Sequence, residues 1–131
     1  MAITILPATP DDAEDMIDVG NRAFGNDMLS NATFDRTSAT AEECAEYKSW
    51  RVKLSKLRMS GPGKHYVKAV DETTGAIVGY AGLMGPKAER LPHSAVPLPA
   101  FINADFDQEL TEKFKSTREQ CLGERQDVWC R

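Results

Sequence analysis

The sequence HYVKAVDETTGAIVGYAGLM, at residues 65–84, decides the fold. Its two ends are rich in β-branched, aromatic and small apolar residues, and they predict strands near residues 65–70 and 76–84. The DETTG segment between them has the aspartate and glycine chemistry of a short hairpin loop. The second run is apolar throughout, which is typical of a strand buried on both faces. Its internal Gly79 and Gly82 indicate a bulge or a close approach by another backbone or a ligand.

The segments before this hairpin predict one more strand and a first helix. The run ITIL, ended by Pro7, predicts a strand near residues 2–6. Thr9, Pro10 and the two aspartates that follow are typical of a helix start, because they fit an N-cap, a first helical position and the positive end of the helix dipole. Apolar residues at helical spacing then predict a helix near residues 10–24.

A second helix is predicted near residues 41–59, where Thr40 and Glu43 form a capping box. The polar residues 26–39 before it are predicted to be irregular, and a Gly-Pro-Gly segment ends the helix. The predicted buried faces of the two helices are Ala13, Met16, Ile17, Gly20, Ala23 and Phe24 in the first, and Tyr47, Trp50, Leu54 and Leu57 in the second.

After the hairpin, the sequence predicts a long loop, a third helix and the start of a fourth strand. Residues 85–104 contain four prolines, and a loop of this length is either a functional lid or disordered. The third helix is predicted near residues 105–122, and residues 127–130 resemble the start of a strand. The residues on one side of that helix are Phe106, Leu110, Phe114, Thr117 and Cys121. Together the elements predict one α+β domain over residues 1–131, with helices layered on a mixed, mostly antiparallel sheet.

Length and composition are those of one small globular domain. The chain has 131 residues, of which 41% are hydrophobic and 27% charged. It has no apolar run near the ~18 residues of a membrane span. Its N-terminus lacks the basic flank of a signal peptide, so we expect an intracellular protein. Three cysteines without a C-x-x-C spacing argue against a disulfide framework or a zinc site. Cys130 is interpreted as a buried apolar residue, and the loop residue His93 as solvated.

Charge is unevenly distributed along the chain. Residues 1–46 carry ten acidic and two basic residues, whereas residues 47–70 carry seven basic residues and no acidic one. Residues 71–131 carry ten acidic and seven basic residues, and the net charge of the chain is −4. We interpret the basic block as the solvated face of a helix paired with acidic neighbours. Nucleic-acid binding is not favoured, because the chain is acidic and no stacking motif accompanies the block.

The order of these elements, together with several short segments, resembles the N-terminal half of the GNAT (Gcn5-related) acyl-CoA N-acyltransferase superfamily, most of all its fungal small-molecule members. The segments are ILPATPDDA at 5–13, NRAF at 21–24, GAIVGYA at 75–81 after Asp71, and CLGER at 121–125 before Val128 and Trp129. The resemblance covers essentially the whole chain but only half of the family's fold.

The resemblance implies acetyl-CoA as co-substrate, no metal, and a small amine or peptide amine as acceptor. Family members hold the pyrophosphate of acetyl-CoA with a Q/R-x-x-G-x-G/A loop at a helix N-terminus. That loop does not occur in this sequence. We therefore assign no catalytic and no cofactor-binding residue, and expect this chain alone to be inactive. The acceptor pocket implied by the resemblance is lined by Phe24, Asp27, Trp50 and Tyr80. Core packing is the favoured alternative for Phe24 and Trp50, and a helix cap or a solvated loop position is the favoured alternative for Asp27.

Other functions remain open at the level of sequence. The chain is either part of an N-acetyltransferase or a non-catalytic protein-binding or regulatory module derived from the same fold. A module of that kind would contact its partner through the basic block. A third interpretation is a truncated gene product without function. Without a fourth strand beside it, the strand at 76–84 would have an open edge, which predicts self-association or a partner that supplies the missing half.

Overall fold

The computed structural model describes residues 2–86, 88, 91 and 95–123. These residues form strand β1 (Ile3–Pro7), a 3-10 turn (Pro10–Asp12), helices α1 (Ala13–Phe24), α2 (Met28–Thr33) and α3 (Ala41–Met59), strands β2 (Lys64–Asp71) and β3 (Ile77–Met84), and helix α4 (Ala104–Leu122). The predicted α+β class is confirmed. The predicted strand at 127–130, with Cys130, and the loop residue His93 lie outside the described residues.

The predicted hairpin is confirmed, and its turn is built by one aspartate. β1, β2 and β3 form an antiparallel sheet in that order. The Asp71 carboxylate accepts hydrogen bonds from the Thr73 N–H at 2.9 Å and from the Thr74 hydroxyl at 3.1 Å. These hydrogen bonds, the backbone one first, lower the pKa of Asp71. Gly75 has the φ of +71° with which the turn closes.

β3 has the bulge that its glycines predict, and the group that lies close to Gly82 is a side chain of β2. Ala69 pairs with Gly79 and Val70 with Ile77, so Val78 has no partner in the ladder. At Gly82 the approaching group is a side chain, because a Cβ there would lie 2.4 Å from the Tyr66 ring.

Helices α1 and α3 cover one face of the sheet, which we call the helix side. Its core consists of Ala13 and Met16 from α1, Met59 from α3 and Ile77 from β3. Val70 of β2 packs against the same cluster. Side chains alternate along a strand, so Ala69 and the residues paired with it lie on the opposite face, which we call the far side.

A second core cluster lies at the N-terminal half of α3. Phe34, Tyr47 and Ile102 are buried there, and Leu98 and Phe101 pack against them. The described end of the proline-rich loop, residues 95–103, is therefore part of the packed structure. The Asn103 side chain then caps α4 by accepting a hydrogen bond from the Phe106 N–H at 3.1 Å.

The structure corrects one prediction about the sheet. β3 is not buried on both faces, since Val78, Tyr80 and Leu83 are exposed. Among the described residues the sheet is purely antiparallel and β3 pairs only with β2, so the predicted open edge is present in this part of the chain.

The structure also corrects several predictions about the helices. Residues 26–39 are not wholly irregular, because they contain α2. Phe24 is not a core residue: its side chain is 62% exposed, and Ala23 beside it is exposed too, because the burial of α1 ends at Gly20. Leu57 of α3 is likewise exposed. On α4 only Phe106 and Leu110 of the predicted face are half-buried, whereas Phe114, Thr117 and Cys121 face solvent.

Candidate functional site

An open cavity of about 500 Å³ lies between α1, α3 and the sheet, with α2 and α4 contributing to its wall. This size is in the range of small-molecule sites. Its lining has four aromatic residues (Tyr47, Trp50, Tyr66, Tyr80), two cations (Arg51, Arg58), three aliphatic hydroxyls (Ser30, Thr33, Ser55) and an apolar remainder (Met16, Ile17, Leu29, Leu54, Met59, Leu110). The lining therefore combines a large apolar surface with a few polar groups.

Aromatic stacking forms one side of the cavity. The Tyr47 ring lies 4.3 Å from the Phe34 ring and 5.8 Å from the Trp50 ring, centroid to centroid. The Trp50 indole N–H is buried, and no described residue accepts a hydrogen bond from it. A buried donor without an acceptor is uncommon and costly.

Two tyrosines from the hairpin form the side nearest the sheet. A Cβ on Gly20 of α1 would lie 2.9 Å from the Tyr80 hydroxyl oxygen, so the absence of a side chain at Gly20 makes room for this tyrosine. The Tyr66 ring of β2 packs over Gly82, its pairing partner on β3. Burial raises the pKa of the Tyr66 hydroxyl, and the nearby Arg58 charge opposes that shift. Tyr66 is therefore a neutral hydrogen-bonding group near neutral pH.

The cationic groups of the cavity, Arg51 and Arg58, lie on α3, and Arg51 has neutral partners. The Arg51 guanidinium donates a hydrogen bond to the Asn21 side-chain oxygen at 2.7 Å and lies over the Tyr47 ring at 5.8 Å. Arg36 donates to the same Asn21 oxygen at 2.8 Å and also lies 5.8 Å from the Tyr47 ring. Within the described part of the chain, no carboxylate forms an ion pair with Arg36, Arg51 or Arg58.

Other members of the basic block do have acidic partners, as the sequence predicts. The Lys48 ammonium lies 2.9 Å from Asp18 and 3.1 Å from Glu14, which together raise its pKa, Asp18 first. The Lys68 ammonium lies 2.6 Å from the Asp12 carboxylate on the helix side. Within the basic block, Lys48 and Lys68 are therefore paired with acidic residues near α1, whereas Arg51 and Arg58 line the cavity.

Two of the four predicted site residues meet in the cavity. Trp50 and Tyr80 line it, whereas Phe24 and Asp27 are not part of its lining. Asp27 is the N-cap of α2, and its carboxylate accepts a hydrogen bond from the Ser30 N–H at 3.0 Å. The cap interpretation is thus confirmed, and Asp27 orients the short helix that brings Ser30 and Thr33 to the cavity.

Sequence reasoning missed Arg51, Arg58 and Tyr66 as site residues. In the sequence the two arginines stand out only as members of a charge run. One signal could have separated them, since Arg51 and Arg58 are seven residues apart and share a helix face with Leu54, whereas Lys53 and Lys56 do not. Tyr66 carried no such signal, because its position depends on the pairing with β3.

Three further features bear on function. A second cavity, of about 320 Å³, lies between α3 and the proline-rich loop and is lined by Trp50, Lys53 and Leu98 among others. The described residues contain no group of three His, Cys, Asp or Glu side chains placed to hold a metal ion. None of the described helices is long and apolar enough to cross a membrane.

Comparison of the chain with known protein families, with curated proteins and with solved structures finds no match.

Proposed function

We propose that this chain is the acceptor-binding portion of a GNAT-type N-acyltransferase, and that the cavity between α1, α3 and the sheet receives the acceptor amine. The observation that carries the proposal is the position of the cavity. Its wall includes α2, which follows the end of α1, and Tyr80 of β3. The first-helix end, the segment after it and the third strand are the elements that the family resemblance assigns to the acceptor pocket.

The chemistry of the lining suits binding rather than catalysis. In the proposed reaction an amine nitrogen attacks the thioester carbonyl carbon, the C–S bond breaks, and the coenzyme A thiolate leaves. A general base must take the proton of the attacking nitrogen. No carboxylate or histidine lines the cavity among the described residues. We therefore assign no catalytic residue, and the role of the lining in this proposal is to hold the acceptor.

The test begins with the native protein. Its intact mass should exceed 14.5 kDa, since the proposal places this chain within a longer enzyme. That protein, mixed with acetyl-CoA and a panel of amines, should release free thiol in an acceptor-dependent way. Residues 1–131 alone should bind no coenzyme A. A native protein of 14.5 kDa that releases no thiol with any amine contradicts the proposal.

Site variants make the test specific to the cavity. In the native enzyme, Tyr80→Ala should raise the KM for the acceptor, because it removes a lining aromatic group. Phe114→Ala is the matched control, since Phe114 is an exposed aromatic residue of α4 that does not line the cavity. Equal KM values for the two variants would place the acceptor elsewhere.

The open edge of β3 favours a second candidate function, a non-catalytic protein-binding module. Val78 and Leu83 on this strand are exposed, and unpaired backbone groups of an edge strand can pair with another chain. The basic block is less suited to this role than the sequence indicates, because Lys48 and Lys68 already have acidic partners. If the chain has this function, acetyl-CoA should not shift its melting temperature. A pull-down from native extract should retain a specific protein, and the Leu83→Lys variant should no longer retain it.

A further inference from the structure

The cavity is a cationic site in an acidic protein. The chain carries a net charge of −4, yet the described cavity lining contains Arg51 and Arg58 and no carboxylate. Arg36, behind Arg51 on the same Asn21 oxygen, adds a third positive charge nearby. A partly enclosed site with low-dielectric walls concentrates such a field and attracts anions.

The arginines retain hydrogen-bonding capacity toward a ligand. A guanidinium has five N–H donors. Arg51 uses one of its donors on Asn21, a neutral acceptor, and packs on the neutral Tyr47 ring. Arg58 is exposed at the cavity wall. Neither partner of Arg51 compensates its charge, in contrast to Lys48 and Lys68, which the fold supplies with carboxylates.

The rest of the lining suits an apolar or aromatic body. Tyr47, Trp50 and Tyr80 present ring surfaces within the same cavity, next to Met16 and Leu54. Aromatic groups bury a large area and favour stacking with another ring. A ligand that satisfies both parts of the lining has a carboxylate at one end and an apolar or aromatic group at the other.

We propose that the cavity binds a small molecule carrying a carboxylate next to an apolar or aromatic body, and that it rejects polyamines. The identification of this molecule as the acceptor amine rests on the proposed function; the carboxylate site itself does not. An acceptor of the amino-acid class meets both requirements. The two arginines also disfavour the protonated state of an amine held near them, and the neutral amine is the nucleophile of the transfer.

Direct binding to the full 131-residue chain tests this proposal without acetyl-CoA. Calorimetric titration in phosphate-free buffer compares 3-phenylpropionate, L-phenylalanine, 2-phenylethylamine, phenyl phosphate and spermidine. The first two should bind, and 2-phenylethylamine and spermidine should bind at least about tenfold more weakly, as expected for the loss of a charge-assisted pair. Tighter binding of either amine, or no binding of the carboxylates, overturns the proposal. A preference for phenyl phosphate overturns the carboxylate assignment.

Variants locate the carboxylate. Arg58 is exposed, so we expect Arg58→Gln to leave folding intact. This variant should weaken 3-phenylpropionate binding about tenfold, and Arg58→Lys should restore part of the loss. Arg51→Gln should act in the same direction. Lys56→Gln is the matched control, because it removes the same charge from the exposed surface of α3 outside the cavity. Equal weakening by Lys56→Gln would mean a non-specific charge effect and would overturn the proposal.

The outcomes separate this inference from the proposed function. If carboxylate binding depends on Arg58 but the native protein transfers no acetyl group, the acyltransferase function is refuted and the carboxylate site is supported. If the native protein acetylates spermidine and Arg58→Gln has no effect, the acyltransferase function is supported and the carboxylate site is refuted.

Discussion

The two faces of the sheet have similar sequences and opposite environments. On the helix side, Ile77 is 8% exposed and packs with α1 and α3. On the far side, Ile5 is 62% exposed, and Val67 and Leu83 are exposed as well. Branched apolar residues therefore occur on both faces, but the described residues cover only one. The apolar character of a strand does not by itself show which of its faces is buried.

The largest difference between the faces should appear when an isoleucine is truncated. Ile77→Ala should destabilise the chain by about 2–4 kcal/mol, because it removes buried surface and leaves a cavity under α1. Ile5→Ala is the matched change on the far side and should cost less than about 0.5 kcal/mol. Urea denaturation measures both free energies of unfolding. Similar losses would mean that the far side is covered in solution.

Two glycines of β3 allow a second test across the faces. A Cβ on Gly82 would lie 2.4 Å from the Tyr66 ring on the helix side, so Gly82→Ala should cost about 1–3 kcal/mol. A Cβ on Gly79 would lie 3.8 Å from the Ala69 Cβ, an ordinary contact. Gly79→Ala should therefore be neutral or slightly stabilising. If thermal melts rank the two variants in the reverse order, the Tyr66 packing described above is wrong.

The ion pair on the helix side should contribute pH-dependent stability. The side chains of Lys68 and Asp12 are only 20% and 15% exposed. The Lys68 hydrogen bond is the main cause that lowers the pKa of Asp12, and the Thr9 N–H adds to it. Because the pKa is lowered in the folded state, the stabilisation is present above the unfolded value of about 4 and is lost as the pH falls through the folded value.

Removal of the lysine should abolish most of that dependence. We expect Lys68→Met to cost about 1–2 kcal/mol at pH 7 and to lose less further stability than the wild type on acidification. Lys48→Met, in the exposed pairs with Glu14 and Asp18, is the control and should have a smaller, salt-sensitive effect. The free energy of unfolding, measured by urea denaturation at several pH values between 7 and 3, checks this prediction. If it falls equally with pH in the wild type and in Lys68→Met, the assignment is contradicted.

The smallest effect on folding, but a clear effect on assembly, is expected at the edge of β3. Leu83→Lys places a charge on the exposed far side and should reduce self-association while leaving stability almost unchanged. Phe114→Lys removes an exposed apolar residue from α4 and should leave self-association as it is. Size-exclusion chromatography distinguishes the two. A wild-type chain that elutes as a monodisperse, cooperatively melting monomer would contradict the prediction of an associating edge.

The features that could be predicted from the sequence are those that depend on interactions between residues close together in the chain. The capping box of α3 was readable because its partners are three residues apart: the Thr40 hydroxyl accepts from Glu43 N–H, and the Glu43 carboxylate accepts from Thr40 N–H. The six-residue helix α2 was missed, although the same local chemistry, Asp27 to Ser30, begins it. Its polar sequence shows no apolar periodicity, since its anchoring residue Phe34 lies just outside it.

The candidate site was less predictable than the fold. Trp50 and Tyr80 were identified in advance, and both line the cavity. The sequence could not distinguish Phe24 from these two residues, because the exposure of Phe24 depends on where along α1 the buried part of the helix ends. The different partners of Arg51 and Lys48, three residues apart on one helix, depend on which surface of α1 lies opposite each of them.

Periodicity and hydrogen bonds between near neighbours in the chain were enough to predict the hairpin, the starts of α1 and α3, and the α+β class. The tertiary structure alone decided which face of the sheet is covered, which cations of the basic block are neutralised, and which aromatic residues share a cavity. The physical reason is that burial and charge pairing are properties of surfaces brought together from distant parts of the chain, and no local pattern specifies the partner.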